Sequence, residues 1–416
     1  TDPMRLEPEK VAHRGTVIAH ADGGTVFVHQ ALPGELVLAE PMGRRRGVNF
    51  ARVESVIRSS PHRMEPACPH FGSCGGCHWQ HADYPYQLEL KRQVVTEAWQ
   101  RAGLRLPPGT PIYGMEEPWR YRLRGDFEAT YRSVELAIGL HRLRSHTVVP
   151  LKTCPIHDLR IEQAVLAFGQ AGRELGLHGL ANLHLTVEPQ GRGILWRTRY
   201  QKRTEQAQDA ALISRVTELL PDLTWLDDSM SFDFWGLHFR VRSDTFIQTN
   251  YAQMLVLYEQ VKEMLAVRSE EAILDLYAGI GTISLALAGS AASVTAIEEN
   301  PSAVQLGRLA MRINQIGEVH FLTGKVEEQL RRVKIGEHVA AVLDPPRAGC
   351  MPTALMELLR LSPPRVIYVS CEPSTHARDL ALLVQGGYRV RRAALVDMFP
   401  QTYHVESVAL LERPGS

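Results

Sequence analysis

The chain has 416 residues, with 46 basic and 46 acidic side chains and a net charge of zero. That length implies two or three domains, each large enough to bury its own core. Zero net charge excludes a global basic field, so a nucleic-acid site must be a local patch. No run of 18 apolar residues occurs, so no membrane-spanning helix is expected. The polar start, Thr1-Asp-Pro-Met-Arg-Leu6, has no signal-peptide apolar stretch, and the clustered cysteines fit a reducing, cytoplasmic setting.

Residues 1–60 hold short β-type runs at 15–19, 25–29, 35–39 and 51–57, split by turns at Asp22-Gly-Gly and Leu32-Pro-Gly. Such spacing predicts a small β-barrel. Arg44, Arg45 and Arg46 put three like charges on one loop tip. Phosphate contact is expected there, because small barrels commonly present loops to nucleic acid.

Residues 61–240 open with Cys68-x5-Cys74-x2-Cys77 in a stretch rich in glycine and proline, and Cys154 stands before Pro155. Turn residues let a short chain fold back so that thiolates converge. Four thiolates suit either zinc or an iron–sulfur cluster. Next, residues 86–102 read as an amphipathic helix ended by Gly103. Trp119-Arg-Tyr-Arg-Leu-Arg124 and His141-Arg-Leu-Arg-Ser-His146 alternate arginine with aromatic or apolar residues. That is a strand period with a basic face, and the interleaved aromatics favour RNA through stacking. Arg120, Arg122 and Arg124 are the expected RNA contacts. Helices are expected at 158–177 and 204–220.

Residues 241–416 alternate apolar strands (around 271–276, 293–297, 319–322, 339–343 and 366–370) with helices (303–313, 326–333, 352–361, 375–386). The alternation predicts a doubly wound parallel sheet of Rossmann type. Strands at 388–397 and 404–412 are expected to close it as an antiparallel edge pair. Gly279 and Gly281 sit at the first strand-to-helix turn, where they allow close backbone approach to a ligand. Glu298 ends the next strand, about 20 residues on, where a carboxylate can accept ribose hydroxyls. The third glycine of a dinucleotide site is missing, which favours S-adenosylmethionine over a nicotinamide cofactor. Asp344-Pro-Pro-Arg347 and Ser370-Cys-Glu-Pro-Ser-Thr375 emerge at the same sheet edge. Cys371 there is read as a nucleophile, and Cys350 as an incidental core residue.

Several motifs occur together and in order: the glycine-rich cysteine set with Trp79-Gln80-His81, Phe246-x-Gln248-x-Asn250, Asp-x-Tyr-x-Gly-x-Gly, Asp-Pro-Pro-Arg, Ser-Cys-x-Pro-x-Thr and His404-Val-Glu406. On these the chain resembles the RNA uracil-C5 methyltransferases. More narrowly it resembles the bacterial 23S ribosomal RNA branch that carries an N-terminal TRAM barrel and a 4Fe-4S cluster. The resemblance implies an OB-like TRAM barrel over 1–60, a central α/β domain with the cluster over 61–240, and a catalytic methyltransferase domain over 241–416. It implies Cys371 as nucleophile and Glu406 as base. Cys68, Cys74, Cys77 and Cys154 would be the cluster ligands. Gln248, Tyr277, Thr282, Glu298 and Asp344 would line the S-adenosylmethionine site with Gly279 and Gly281. The implied partner is 23S ribosomal RNA; no obligate protein partner or membrane is implied, and a monomer is expected.

Two positions depart from the family pattern. Glu372 replaces the asparagine that usually follows the catalytic cysteine, and a carboxylate beside a thiol raises its pKa, so thiolate formation would depend on substrate or a nearby cation. Lys325 stands where an acidic or amide residue often approaches the adenine. Phe246 and Tyr403 are candidates to stack on a flipped base. The rival readings are a transfer-RNA or cytosine-C5 enzyme on the same scaffold and a non-catalytic RNA-binding assembly factor. Cys350 lies too far past Asp344-Pro-Pro-Arg347 for the cytosine class, and intact Cys371 and Glu406 argue against a dead enzyme.

Overall fold

The computed structural model describes residues 2–21, 24–132 and 135–415. Residues 22 and 23 of the expected Asp22-Gly-Gly turn lie outside the described residues. The chain forms three large sheets.

The first sheet is six-stranded, in the order Met4–Leu6, Leu36–Arg45, Val48–Arg58, Gly24–His29, Val17–Ala21, Lys10–Val11. Strand alternation sends Leu6, Val17, Ala19, Val26, Val28, Val37 and Ala39 to one shared core. Bulges in the long central pair let the sheet curl, and Met4–Leu6 comes beside Val17–Ala21. Arg44 and Arg45 differ from expectation: they lie on the strand, opposite Asn49 and Val48. Only Arg46 and Gly47 turn the hairpin, with φ of 48° and 82°. Two positive φ values match the twist of a two-residue hairpin, so the tip is narrower than a loop of three arginines. All three arginines are exposed.

The second sheet runs Val148–Pro150, Glu135–His141, Arg124–Arg132, Leu180–Val187, Gly193–Tyr200, Thr224–Leu226. Helices Leu159–Glu174 and Asp209–Leu219 cover one face, packing Phe168, Leu212 and Val216 on Phe127, Leu183 and Ile194. The helix expected at 204–220 begins as a 3-10 segment, Arg203–Gln208. Residues 119–123 keep the in–out alternation but join no ladder. Tyr121 and Leu123 are buried, and the arginines point away.

The third sheet is eight-stranded: Val319–Thr323, Ser293–Glu298, Ala272–Leu276, Ala340–Leu343, Arg365–Ser370, Glu406–Glu412, Arg389–Val396, Ile112–Tyr113. The first five strands are parallel. The last two predicted strands are antiparallel to each other, as expected, but they are not an edge pair. Glu406–Glu412 inserts between Arg365–Ser370 and Arg389–Val396, and Ile112–Tyr113 covers the outer edge. The central segment therefore contributes to this sheet. Helix Tyr84–Arg101, capped by the Asp83 side chain, also packs here through Val95 and Trp99.

Lys91 of that helix is fully buried. Its ammonium pairs with the equally buried Asp397 carboxylate and donates to the Phe399 carbonyl (3.0 Å). The Tyr84 hydroxyl donates to the other Asp397 oxygen (2.8 Å). Gln87 and Gln401 exchange two hydrogen bonds, of 2.9 and 3.0 Å. These contacts fasten the connection 397–405 that leads into the last strand.

Candidate active site

Both carboxyl-end motifs meet across the antiparallel ladder. Ser370 pairs with Ser407, and one step outward Cys371 faces Glu406. Directly opposite residues share a face, with Cβ atoms about 5 Å apart. Cys371 is half-buried, and Glu406 is buried with its Oε2 unpartnered among the described residues. An unpaired buried carboxylate favours its neutral form. Burial, then Asp344, lift Glu406 to about 8, while Arg347 opposes them. Burial and the Glu406 charge push the Cys371 thiol up to about 12, and Arg347 pulls it back. Asp344 is itself raised to about 7 by burial and by Asp275.

Arg347 is thus a cation that acts on both Cys371 and Glu406. It stands in the Asp-Pro-Pro-Arg motif, but the sequence alone gives it no role. Its loop is held by helix Pro373–Gln385: Thr375 Oγ1 donates to the Arg347 carbonyl (3.0 Å) and Arg378 to the Ala348 carbonyl (3.0 Å). Asp379 accepts from the Cys350 N–H (2.8 Å). Cys350 itself is buried against Tyr368, as a core residue. Glu372 turns its carboxylate to the Ser374 hydroxyl (2.8 Å), but its charge still raises Cys371.

A cradle lies at the neighbouring strand ends. Gly279, at φ 57°, has open space where a Cβ would stand. Its N–H donates to Glu298 Oε2 (2.8 Å), and the Asn300 N–H donates to Oε1 (2.8 Å). Each carboxylate oxygen keeps a lone pair for a further donor. Gly281 differs: at φ 80°, a Cβ there would meet the Phe321 ring at 2.6 Å. The Thr282 hydroxyl bonds Tyr258 (2.8 Å), and the buried Tyr277 hydroxyl lies beside Cys350. Gln248 is buried, and Lys325 is exposed. Open space, a ribose-type carboxylate and Asp344 at one strand-end edge fit S-adenosylmethionine.

The two stacking candidates separate. Phe246 protrudes with 70% of its surface exposed. Tyr403 packs between His78 and His404, with ring centroids at 4.6 and 4.1 Å. The expected RNA arginines also divide. Arg124 donates to the carbonyls of Thr245 and Ser243 (both 2.8 Å), and Arg120 binds Glu162 (2.8 Å) and two carbonyls. These two arginines clamp the chain to itself, Arg124 half-buried and Arg120 at the surface, because their donors are used by the chain itself.

Cys68, Cys74, Cys77 and Cys154 line one enclosed cavity. Burial pushes all four thiols up, Cys154 to about 11. Among the described residues no three His, Cys, Asp or Glu side chains converge tightly enough for a metal ion. The cysteine loop also reaches the catalytic side: the His78 and Trp79 N–H groups donate to the Gln401 carbonyl at 2.9 and 3.0 Å.

A parallel sheet with a glycine turn, an acidic second-strand end and an antiparallel last pair defines a Rossmann-type methyltransferase fold. Among solved structures, the Pyrococcus abyssi tRNA (uracil-54, C5)-methyltransferase in complex with S-adenosyl-L-homocysteine has a similar fold, with a TM-score of 0.76 and 24% identity over 98% of this chain and 99% of that one. The family model for tRNA (uracil-5-)-methyltransferase matches residues 195–414. An uncharacterised RNA methyltransferase of Halalkalibacterium halodurans is 33% identical, over 99% of this chain and 97% of that protein. Another, of Gloeobacter violaceus, is 35% identical over 94% and 92%. The chain belongs to the tRNA (uracil-5-)-methyltransferase family. It is an RNA (uracil-5-)-methyltransferase that uses S-adenosylmethionine.

Proposed function

We propose that this enzyme methylates C5 of a specific uridine in 23S ribosomal RNA through a covalent Cys371 adduct. The observation that carries the mechanism is Cys371 facing Glu406 across the ladder, with Asp344 and Arg347 acting on both. The ribosomal target rests on the joint occurrence of the N-terminal β-rich region, the cysteine set and the motif series. Residues 1–60 act as a TRAM-like RNA-binding barrel, 61–240 as the cluster-bearing domain and 241–416 as the catalytic domain, in a reducing cytoplasm.

Uracil C5 is a weak nucleophile. The Cys371 thiolate adds to C6, and the ring electrons move toward C5 as an enolate. Arg347 favours the thiolate that Glu406 and Glu372 oppose. When bound, S-adenosylmethionine supplies the electrophilic methyl group that C5 takes up. Glu406 then accepts the C5 proton, the C5–C6 double bond re-forms, and the Cys371 sulfur leaves with its electron pair. A raised carboxyl pKa suits a group that must take and release a proton near neutrality. Phe246 offers a face to the flipped base.

We read the cysteine cavity as a 4Fe-4S site and not a zinc site. Zinc draws four sulfurs to about 2.3 Å from one point, whereas cluster thiolates bind separate irons and share a wider cavity. Cys68, Cys74, Cys77 and Cys154 would hold it.

The test is methyl transfer to purified 23S ribosomal RNA and bulk transfer RNA, followed by mapping of 5-methyluridine. Label confined to a 23S uridine is expected. Label confined to transfer RNA would overturn the target assignment.

A further inference from the structure

A second concave surface lies between the N-terminal hairpin and the 141–146 turn, with about 1040 Å³ of space. It shares no lining residue with the Cys371 site. Arg14, Arg45, Arg46, Arg142 and Arg144 line it, and among the described residues no carboxylate does. The whole chain balances its charges, so five like charges gathered here are a local concentration. An anion entering the groove would relieve their mutual repulsion. Burial and the neighbouring Arg45 and Arg14 already disfavour the charged form of Arg144.

The groove also offers a stacking surface. The Arg144 guanidinium lies over the Phe50 ring, 3.8 Å from its centroid. Arg144 is otherwise exposed, so a base can reach the side of the guanidinium away from Phe50. Gly75 and Gly76 of the cysteine loop form part of the wall. Two backbone bonds fix that wall to the arginine turn: Gly75 N–H to the His141 carbonyl (3.0 Å) and Leu143 N–H to the Ser73 carbonyl (3.1 Å). At one end Gly15, next to Arg14, packs against Tyr403, three residues before Glu406: a Cβ on Gly15 would lie 3.4 Å from the Tyr403 Cβ. The groove therefore runs toward the catalytic crevice.

We propose that this groove binds a single-stranded segment flanking the target uridine, with arginines on phosphates and one base on the Arg144–Phe50 stack. The proposal rests on the RNA-methylation reading above. A duplex would meet the charges but present no unstacked base, so a single strand is the occupant that the stack favours.

The experiment measures binding of a labelled twelve-nucleotide oligouridylate and a twelve-base-pair RNA duplex across a salt series. The triple variant Arg45→Ala, Arg46→Ala, Arg144→Ala should flatten the log–log salt slope by about 2, from roughly 0.7 per phosphate contact. It should also weaken single-strand binding about tenfold or more near 0.1 M salt. Phe50→Leu, which keeps the sheet packed, should weaken the single strand several-fold at unchanged slope. Arg332→Ala, outside the groove, should change neither. An unchanged slope in the triple variant, or equal affinity for duplex and single strand, overturns the proposal. Methyl transfer by the wild-type chain is measured in parallel. Its absence would count against uridine methylation while the binding data still judge the groove.

Discussion

Cys371 and Glu406 stand opposite each other because the last strand of the chain runs antiparallel beside the strand that ends at Ser370. Had Glu406–Glu412 lain at the sheet edge, the carboxylate would have been a strand away from the thiol. Insertion of that strand brings the proposed nucleophile and the proposed proton acceptor together, and buries the carboxyl group.

Glu406→Gln should separate adduct formation from release. The amide permits thiol addition and methylation but cannot take the C5 proton, so the protein stays bonded to methylated RNA. A denaturing gel should show a slow protein–RNA band, absent in Cys371→Ala, Glu406→Gln. A band surviving without Cys371 would identify a different nucleophile.

Arg347→Met should move the pH dependence of kcat/KM to higher pH. The cation lowers both Cys371 and Glu406; without it both groups ionise later. The proposed mechanism needs both ionised, so activity should rise with pH through about 8 for Glu406. The variant should therefore be slow at neutral pH and recover partly in alkaline buffer. Equal loss at every pH would assign Arg347 to binding alone.

Lys91→Met should cost about 3–5 kcal/mol of stability, because it leaves a buried carboxylate without its partner. The pair is fully buried on both sides. Lys91→Met, Asp397→Leu should recover part of the loss, as read from denaturant midpoints. A loss under about 1 kcal/mol in the single variant would mean that water reaches Asp397.

The two glycines of the turn should fail differently. Gly279→Ala projects a methyl into open space and should weaken S-adenosylmethionine binding more than folding. Gly281→Ala drives a methyl into Phe321 and should lower the melting temperature first. Calorimetric titration and thermal melts distinguish these effects.

Protein purified without oxygen should be brown and carry about four irons. Cys77→Ser should lose the colour and loosen the 141–146 turn. Stoichiometric zinc with no iron would reject the cluster.

Periodicity reveals much of this fold because buried parallel strands and amphipathic helices carry strong patterns. The 271–288 turn and Glu298 are legible for the same reason. Strand insertion is not: 404–412 has the same alternation at an edge or inside a sheet, and only partner packing decides. Arg120 and Arg124 show the same limit, since an arginine that clamps carbonyls and one that awaits phosphate look alike in a β-period. Lys91 reads as an ordinary helix lysine, because its partner lies 306 residues away. Arg347 stands in a visible motif, but its effect on Cys371 depends on a loop fastened by residues 375–379.

The Lys91–Asp397, Tyr84–Asp397 and Gln87–Gln401 contacts span 306, 313 and 314 residues of chain. They also set an order of events during synthesis. At roughly 5–20 residues per second, helix Tyr84–Arg101 leaves the ribosome tens of seconds before its partners exist. Until then the Lys91 ammonium must remain hydrated, and the Val95–Trp99 face lacks most of the cluster it packs into. Its Leu90 face can pack early on Val11, Leu32 and Trp79, but the Lys91 face can dock only when nearly the whole chain has emerged. The base strand and its support are thus completed together, at the end of folding, and an unfinished chain has Cys371 without a working partner.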